Sequence, residues 1–189
     1  QILLPPSEIE MFQKRARIRE SLREAIFIGN DWGRKGLKDY LKIASQFPEL
    51  IFHVVGKGDS NAFKDISSKN VHFHGLLTNN DLVDLIAKSD IHILPSRSEG
   101  LPRVLIETMA NGLPSILYQG YGAEEFVENG VNGYVFNDLA QIHELLNQFK
   151  SKQISLKSLS QNCIDSSVQF DPMELTRNYE RVIEDLYAS

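Results

Sequence analysis

A single cysteine, Cys163, is all the thiol that 189 residues contain, so an internal disulfide is excluded and a disulfide-stapled scaffold with it. Nothing around Cys163 marks it as a nucleophile or a redox group. Basic runs are missing too. The 20 Lys and Arg are outnumbered by 25 Asp and Glu, for a formal net charge of -5, and no run of Lys or Arg breaks that balance. This argues against a nucleic-acid partner or a broad anionic-membrane surface. Any anionic ligand has to be met by a few local cations. No apolar run approaches the roughly 18 residues that a bilayer-spanning helix needs, and no charged-then-apolar leader is read at the start. No Asp-x-Asp triplet occurs, and the Gly-x-x-x-x-Gly-Lys-Ser/Thr order of a phosphate-binding P-loop is absent.

What remains is an ordinary soluble composition, 42% hydrophobic and 24% charged, at a length that favours one globular domain. Residues 1–24, with their Pro5-Pro6 step and charged helical stretch, read as a linker or inter-domain segment. The start at Gln1 instead of a methionine suggests the second half of something longer. From Ala25 onward, short β-rich runs alternate with amphipathic helical runs. AIFIG (25–29), LIFHVVG (50–56), VHFHG (71–75), DIHILP (90–95), PSILY (114–118) and NGYVF (132–136) read as strands. The alternation predicts an α/β, three-layer domain over residues 25–170, a parallel sheet of about six strands covered by helices. Leu37, Tyr40, Leu41, Ala44 and Phe47 form one helical stripe, and Leu82, Leu85 and Ile86 another. On the helix after DIHILP, Leu101, Val104, Leu105, Thr108 and Met109 face inward, Pro102 suits the first turn and Gly112 ends the helix. Asp171-Pro172 with Glu174 reads as a helix start, and Leu175, Tyr179, Val182, Ile183 and Leu186 line one face of a C-terminal helix over 171–189. That helix is long enough to reach another domain.

In an open parallel sheet ligands sit beyond the carboxyl ends of the strands. Three junctions there carry polar groups. In GNDWGRKG (29–36), Arg34 and Lys35 pair a forked donor with a point charge near a helix start, which suits a diphosphate; a solvated basic turn is the plain alternative. GKGD (56–59) has Asn61 where a dinucleotide fingerprint needs its third glycine, so a tight turn is the safer reading. In SEGLPRVLIETMANGLPS (98–115), Glu99 precedes a helix whose unpaired amides at Gly100, Leu101, Arg103 and Val104 can meet a ligand. Glu107, two turns on, is placed to accept two hydrogen bonds from a vicinal diol such as a ribose. Both acids also have plain roles, complementing the helix dipole or simply facing solvent.

Six segments occur in a telling order: RKG (34–36), GKG (56–58), FHG (73–75), DIHILPS (90–96), EGLPRVLIE (99–107) and GYGAEEFVENGVNGYVF (120–136). The order resembles that of the family 4 retaining glycosyltransferases with their Glu-x7-Glu motif, over roughly residues 25–150. The resemblance implies a Rossmann-like domain, the C-terminal, donor-binding half of a two-Rossmann-domain GT-B enzyme that takes a nucleoside-diphosphate sugar, a UDP- or GDP-sugar, and needs no cofactor and no metal. The absent Asp-x-Asp agrees, because that triplet is the usual metal-diphosphate clamp of the other large glycosyltransferase fold. Carried over by position, Lys35 and Arg34 would hold the diphosphate, Glu107 the ribose hydroxyls, and Glu99 would face the donor sugar. The amides of Gly100, Leu101, Arg103 and Val104 would meet the sugar and distal phosphate, and the backbone at Leu76 and Leu77 the base. Expected partners are the chain's own N-terminal Rossmann-like domain and a saccharide or lipid-linked acceptor. The expected place is the cytoplasm, with peripheral association of the whole protein at the inner face of the membrane. One departure stands out: the family's Gly-Arg pair after the first strand is Gly29-Asn30, with Arg34 as a candidate replacement. Rivals are an epimerase or hydrolase of nucleotide sugars on the same fold, and a non-catalytic binding module.

The histidines carry less. His72 and His74 share a strand face by the period of two, a conceivable metal pair for which no third ligand appears at sensible spacing. His53 and His92 read as structural, and His143 as solvated. Glu124 and Glu125 head a short helix in the glycine-rich loop, either capping it or, as the resemblance implies for one of them, approaching the donor sugar.

Overall fold

Six short strands align in one direction, five of them inside the expected runs and β1 starting one residue ahead of its run: β1 (Glu24–Ile28), β2 (Ile51–Val55), β3 (Val71–Gly75), β4 (Ile91–Leu94), β5 (Ser115–Tyr118) and β6 (Gly133–Phe136). The structure is a computed structural model describing residues 9–98, 103–120, 122 and 125–171, together with positions 176, 177, 180, 181, 184 and 187. All pairings are parallel, in the order β3-β2-β1-β4-β5-β6. The chain steps outward from β1 to β3, then returns to the other side of β1 to lay down β4. The order therefore reverses between β1 and β4, where connections leave in opposite directions and open a crevice. All four residues of β4 are buried, as expected of a strand covered on both faces.

Helices α2 (Leu37–Gln46) and α5 (Leu139–Lys150) pack together, while α4 (Arg103–Ala110) meets α1 (Ile9–Gln13) and α6 (Leu156–Ser167). The α2 stripe is buried as its period implies: Leu37, Tyr40, Leu41, Ala44 and Phe47 all lie in the core. Tyr40 lays its ring 5.4 Å from both Phe27 and Phe52. Its hydroxyl sits 3.0 Å from the carbonyls of Ala25 and His53, and burial pushes its pKa well above the ordinary value. On α3 (Asn79–Lys88) the expected stripe is displaced: Val83 and Ile86 are buried, whereas Leu82 and Leu85 are half-buried at its shoulders. Apolar residue type alone does not separate the centre of a helical face from its edge. In α4, Leu105, Thr108 and Met109 are buried together with Ile106 and Ala110, and Val104 is half-buried. Gly112 follows with φ +74, a left-handed turn that favours glycine. Leu101 and Pro102 lie outside the described residues, as do Pro172, Glu174 and the C-terminal stripe of Leu175, Tyr179, Val182, Ile183 and Leu186. The positions described there, Thr176, Arg177, Glu180, Arg181, Glu184 and Tyr187, are helical and exposed. No helix among the described residues is long and apolar enough to cross a membrane.

The segment before β1 is packed into this body. Ile9, Phe12 and Leu22 are buried, and Arg19 is fully buried. A helix end leaves its last carbonyls without intrahelical partners, and here two arginines take them. Arg17 donates to the carbonyls of Ala87, Lys88 (2.7 Å) and Ser89 (3.1 Å) and to the Asp90 carboxylate (2.7 Å). Arg19 donates to Ile86 (3.0 Å) and Ser89 (3.1 Å) at the end of α3, and to the carbonyl and side chain of Asn111 just past α4. Two positive charges at two helix C-termini also complement both dipoles. Burial, and next the Arg17 charge, lower the Arg19 pKa to about 9, which still leaves it charged at neutral pH. Arg19→Ala is expected to reduce unfolding stability by about 3–5 kcal/mol, the range for removing one member of a buried charged network. Arg19→Lys should restore only part of it, since an ammonium cannot span both helix ends; urea unfolding of the three proteins measures this.

Candidate functional site

The loop after β1 is bound on both sides. Toward β2, Asn30 Oδ1 accepts a hydrogen bond from the Lys57 amide (2.7 Å). Gly56 (φ +128) lies so close to the Gly29 carbonyl that a Cβ would overlap it. The tight-turn reading of 56–59 agrees with this geometry: Asp59 caps the following 3-10 segment, Ser60–Ile66, by accepting from the Asn61 amide (2.9 Å). Toward β4, Gly36 (φ +81) rests against the Pro95 carbonyl, where any side chain would collide. The Arg34 guanidinium donates to the carbonyl of Ser98, while its Nε lies 3.4 Å from Asp31. The Lys35 stem folds back over Gly29, occupying the space a Cβ would need. Arg34 and Gly36 thus join the loop to the 95–98 segment across the β1/β4 boundary, with Lys35 between them in sequence and its stem over Gly29.

On the β4 side, Arg103 opens α4 and lies 3.8 Å from Glu107, one turn on. The Glu107 side chain is only 13% exposed against 62% for Arg103, so it is no simple surface acid. Val104 is half-buried. Glu99, Gly100 and Leu101 lie outside the described residues, as does Glu124, whereas Glu125 is exposed. Leu76 and Leu77 follow β3, two strands away from the β1 loop. Gly75 (φ +67) turns the chain there, Leu76 is 68% exposed and Leu77 packs on the core before Thr78 caps α3. The structure brings the 29–36 loop onto the 95–98 segment, and sets Leu76 and Leu77 farther along the same carboxyl edge, beyond the exit of β2.

Other groupings were not legible in sequence spacing. His53 on β2 pairs in register with His72. Its Nε2 is 3.0 Å from Glu24 Oε2, and its Nδ1 is 2.9 Å from His74 Nε2. A bulge between Val54 and Val55 skips His74 in the β2–β3 pairing, and bulges of this kind re-aim a side chain. No group of three or more His, Cys, Asp or Glu among the described residues could hold a metal ion. Arg97 lies over the Tyr118 ring at 5.1 Å. His143 is exposed, as expected, with its ring 4.8 Å from Phe47. Cys163 is buried against the Asn132 carbonyl, and burial raises its pKa to about 12, so it is an inert thiol.

The profile of the family described as glycosyl transferases group 1 matches residues 8–165. The chain belongs to this family. It is 26% identical over 193 residues to the lipopolysaccharide glucosyltransferase WaaG of Escherichia coli K12, covering 97% of this chain and 48% of that protein. Among solved structures it superposes on the apo form of the lipopolysaccharide outer core galactosyltransferase WaaB with a TM-score of 0.80 at 19% identity, over 98% of this chain and 55% of the other. The C-terminal domain of the group 1 glycosyl transferase LpcC of Francisella tularensis gives a TM-score of 0.68 at 19% identity, over 90% of this chain and 97% of that one. The fold is therefore half of a GT-B glycosyltransferase, and the chain spans about half the length of the full-length relatives it matches.

Beneath the crevice, His92 of β4 is fully buried with Nδ1 3.0 Å from Ser115 Oγ, which in turn lies 3.2 Å from Thr108 Oγ1. Its Nε2 has no partner among the described residues. Burial, and secondarily the Lys35 charge, lower its pKa to about 3. Burial first, then the His53 and His72 charges, also lower that of His74. Unfolded histidines protonate near 6.5, so acid favours the unfolded chain. Stability is complete above that value and declines as pH falls toward 3, by up to about 1.4 kcal/mol per pH unit for His92. Urea unfolding at pH 7.5 and 4.5 should show the gap between wild type and His92→Asn shrinking at the lower pH, because the variant lacks this titration.

Proposed function

We propose that this chain is the nucleotide-sugar-binding half of a retaining, metal-independent glycosyltransferase, and that its diphosphate seat is the junction of the 29–36 and 95–98 segments. The observation that carries this reading is the contact between those segments, Gly36 on Pro95 and Arg34 on Ser98. It joins the loop that bears Arg34 and Lys35 to the segment that leads into the Glu99–Glu107 motif. Asn30 is engaged with the Lys57 amide, which supports Arg34 as the guanidinium that serves in place of the family's arginine. Glu107, shielded by Arg103, suits the ribose diol. Glu99 would face the sugar, with the amides of Gly100, Leu101, Arg103 and Val104 beside it, and Leu76 and Leu77 would border the base.

The mechanism follows from leaving-group charge. As the sugar–phosphate bond breaks, negative charge grows on the nucleoside diphosphate. Lys35, Arg34 and the α4 amides would stabilise it more in the transition state than in the ground state. Attack by the acceptor hydroxyl on the leaving-group face retains configuration and asks for no protein nucleophile. The full-length protein would supply the acceptor site from its N-terminal domain. It would act on a saccharide or glycolipid in the cytoplasm, at the inner face of the membrane, in line with its similarity to a lipopolysaccharide glucosyltransferase. The fragment alone should bind donor and transfer little.

Calorimetric titration of the chain with UDP, GDP and ADP tests this. Binding of one of them is expected, weakened roughly ten- to a hundredfold in Lys35→Ala and in Glu107→Ala, as for the loss of a charged hydrogen bond. Unchanged affinity in both variants would discredit the site. Absence of any nucleotide affinity would point to a binding module, and acceptor-free release of sugar to a hydrolase.

A further inference from the structure

The chain's only tryptophan, Trp32, lies in the cationic loop three residues before Lys35 and is 4% exposed. Its ring lies on Gly58, where a Cβ would overlap the indole. Phe73 (5.5 Å) and Phe63 (6.0 Å, edge-on) complete the seat. No positive φ explains Gly58. What excludes a side chain there is the indole. The loop itself holds a non-glycine residue in the left-handed region, Asp31 at φ +56. Such conformations persist when the surroundings over-determine them. Internal hydrogen bonds wind it tightly around Trp32: Lys35 N to the Asp31 carbonyl (3.0 Å) and Leu37 N to the Trp32 carbonyl (3.0 Å). The indole Nε1 is buried with no hydrogen-bond partner among the described residues, so the ring is held by its aromatic contacts and by Gly58 alone.

We infer that Trp32 is a positioning residue for the diphosphate: seated on Gly58, it sets the loop that presents Arg34 and Lys35 to the crevice, and the second glycine of the 56–58 turn exists to admit it. The turn therefore serves the phosphates indirectly, through the indole, and not by cradling them. This inference rests on the donor-site reading above.

The test is a double-mutant cycle on the 189-residue chain, with binding of UDP or GDP, whichever the wild type takes, compared with the corresponding nucleoside monophosphate. Gly58→Ala and Trp32→Ala are each expected to weaken the diphosphate roughly tenfold, with the monophosphate less affected, and the double variant should be no worse than Trp32→Ala alone, since contacting residues are non-additive. Trp32→Phe, which keeps a ring on the seat, should recover affinity to within about threefold of wild type. In the wild type the emission of the sole tryptophan should shift on diphosphate binding. Diphosphate binding by the wild type together with an unaltered affinity in Gly58→Ala, or a Gly58→Ala loss that persists without the indole, overturns the positioning role while leaving the donor site standing. Binding of neither diphosphate by wild type removes both. Should Trp32→Ala fail to fold, Gly58→Ala, Trp32→Phe and the wild-type emission still decide.

Discussion

Everything at the candidate site depends on one topological constraint, the side-by-side placement of β1 and β4. Because β4 is laid down after the chain has moved outward to β3, its exit loop and that of β1 turn away from each other and leave a crevice over their shared boundary. A crevice alone would be a gap. Here it is drawn together by a single contact that only glycine permits, Gly36 in a left-handed conformation against the Pro95 carbonyl. Two sequence motifs 60 residues apart become one surface through that contact and the adjoining Arg34–Ser98 hydrogen bond.

The opposite ends of the helices are fixed by different means. Arg17 and Arg19 take the terminal carbonyls of α3, and Arg19 also takes the carbonyl and side chain of Asn111 just beyond α4. Asp90 binds Arg17 and also accepts from the amides of Arg23 and Glu24 as β1 begins. This network ties the far end of α4 to the end of α3 and the start of β1. A helix mouth used as an electrostatic device needs such rigidity, because its contribution falls off within a turn.

Strand positions were legible because each strand is a short run rich in apolar and β-branched residues set between turn signals, and all six stand within a residue of where those signals place them. The ordered motifs were legible through a resemblance that spans most of the sheet. What stayed hidden depends on register and on contacts between loops. His53 joins His72 and His74 because β2 and β3 pair in register and a bulge re-aims one ring, and no spacing along the chain encodes that. Arg19 sits in a stretch that reads as a charged linker, yet is fully buried. Its five donors fit the carbonyl array of two helix ends, and that array exists only after folding. Gly58 reads as half of a tight turn, and only the seated indole shows why a side chain is excluded.

The distribution of charge ties these observations to the proposed chemistry. The chain is acidic overall, so the crevice cannot draw a diphosphate by net charge and has to rely on a few cations held in place. Burial keeps His92, beneath the crevice, neutral across the physiological range, and the nearby Lys35 charge adds to that tendency. Arg34 and Lys35, by contrast, are partly solvated, and their loop is pinned on both sides. A cation fixed by the backbone that bears it needs little reorganisation when charge develops on a leaving group. In this fold the backbone is fixed by glycines that admit a carbonyl on one side and an indole on the other.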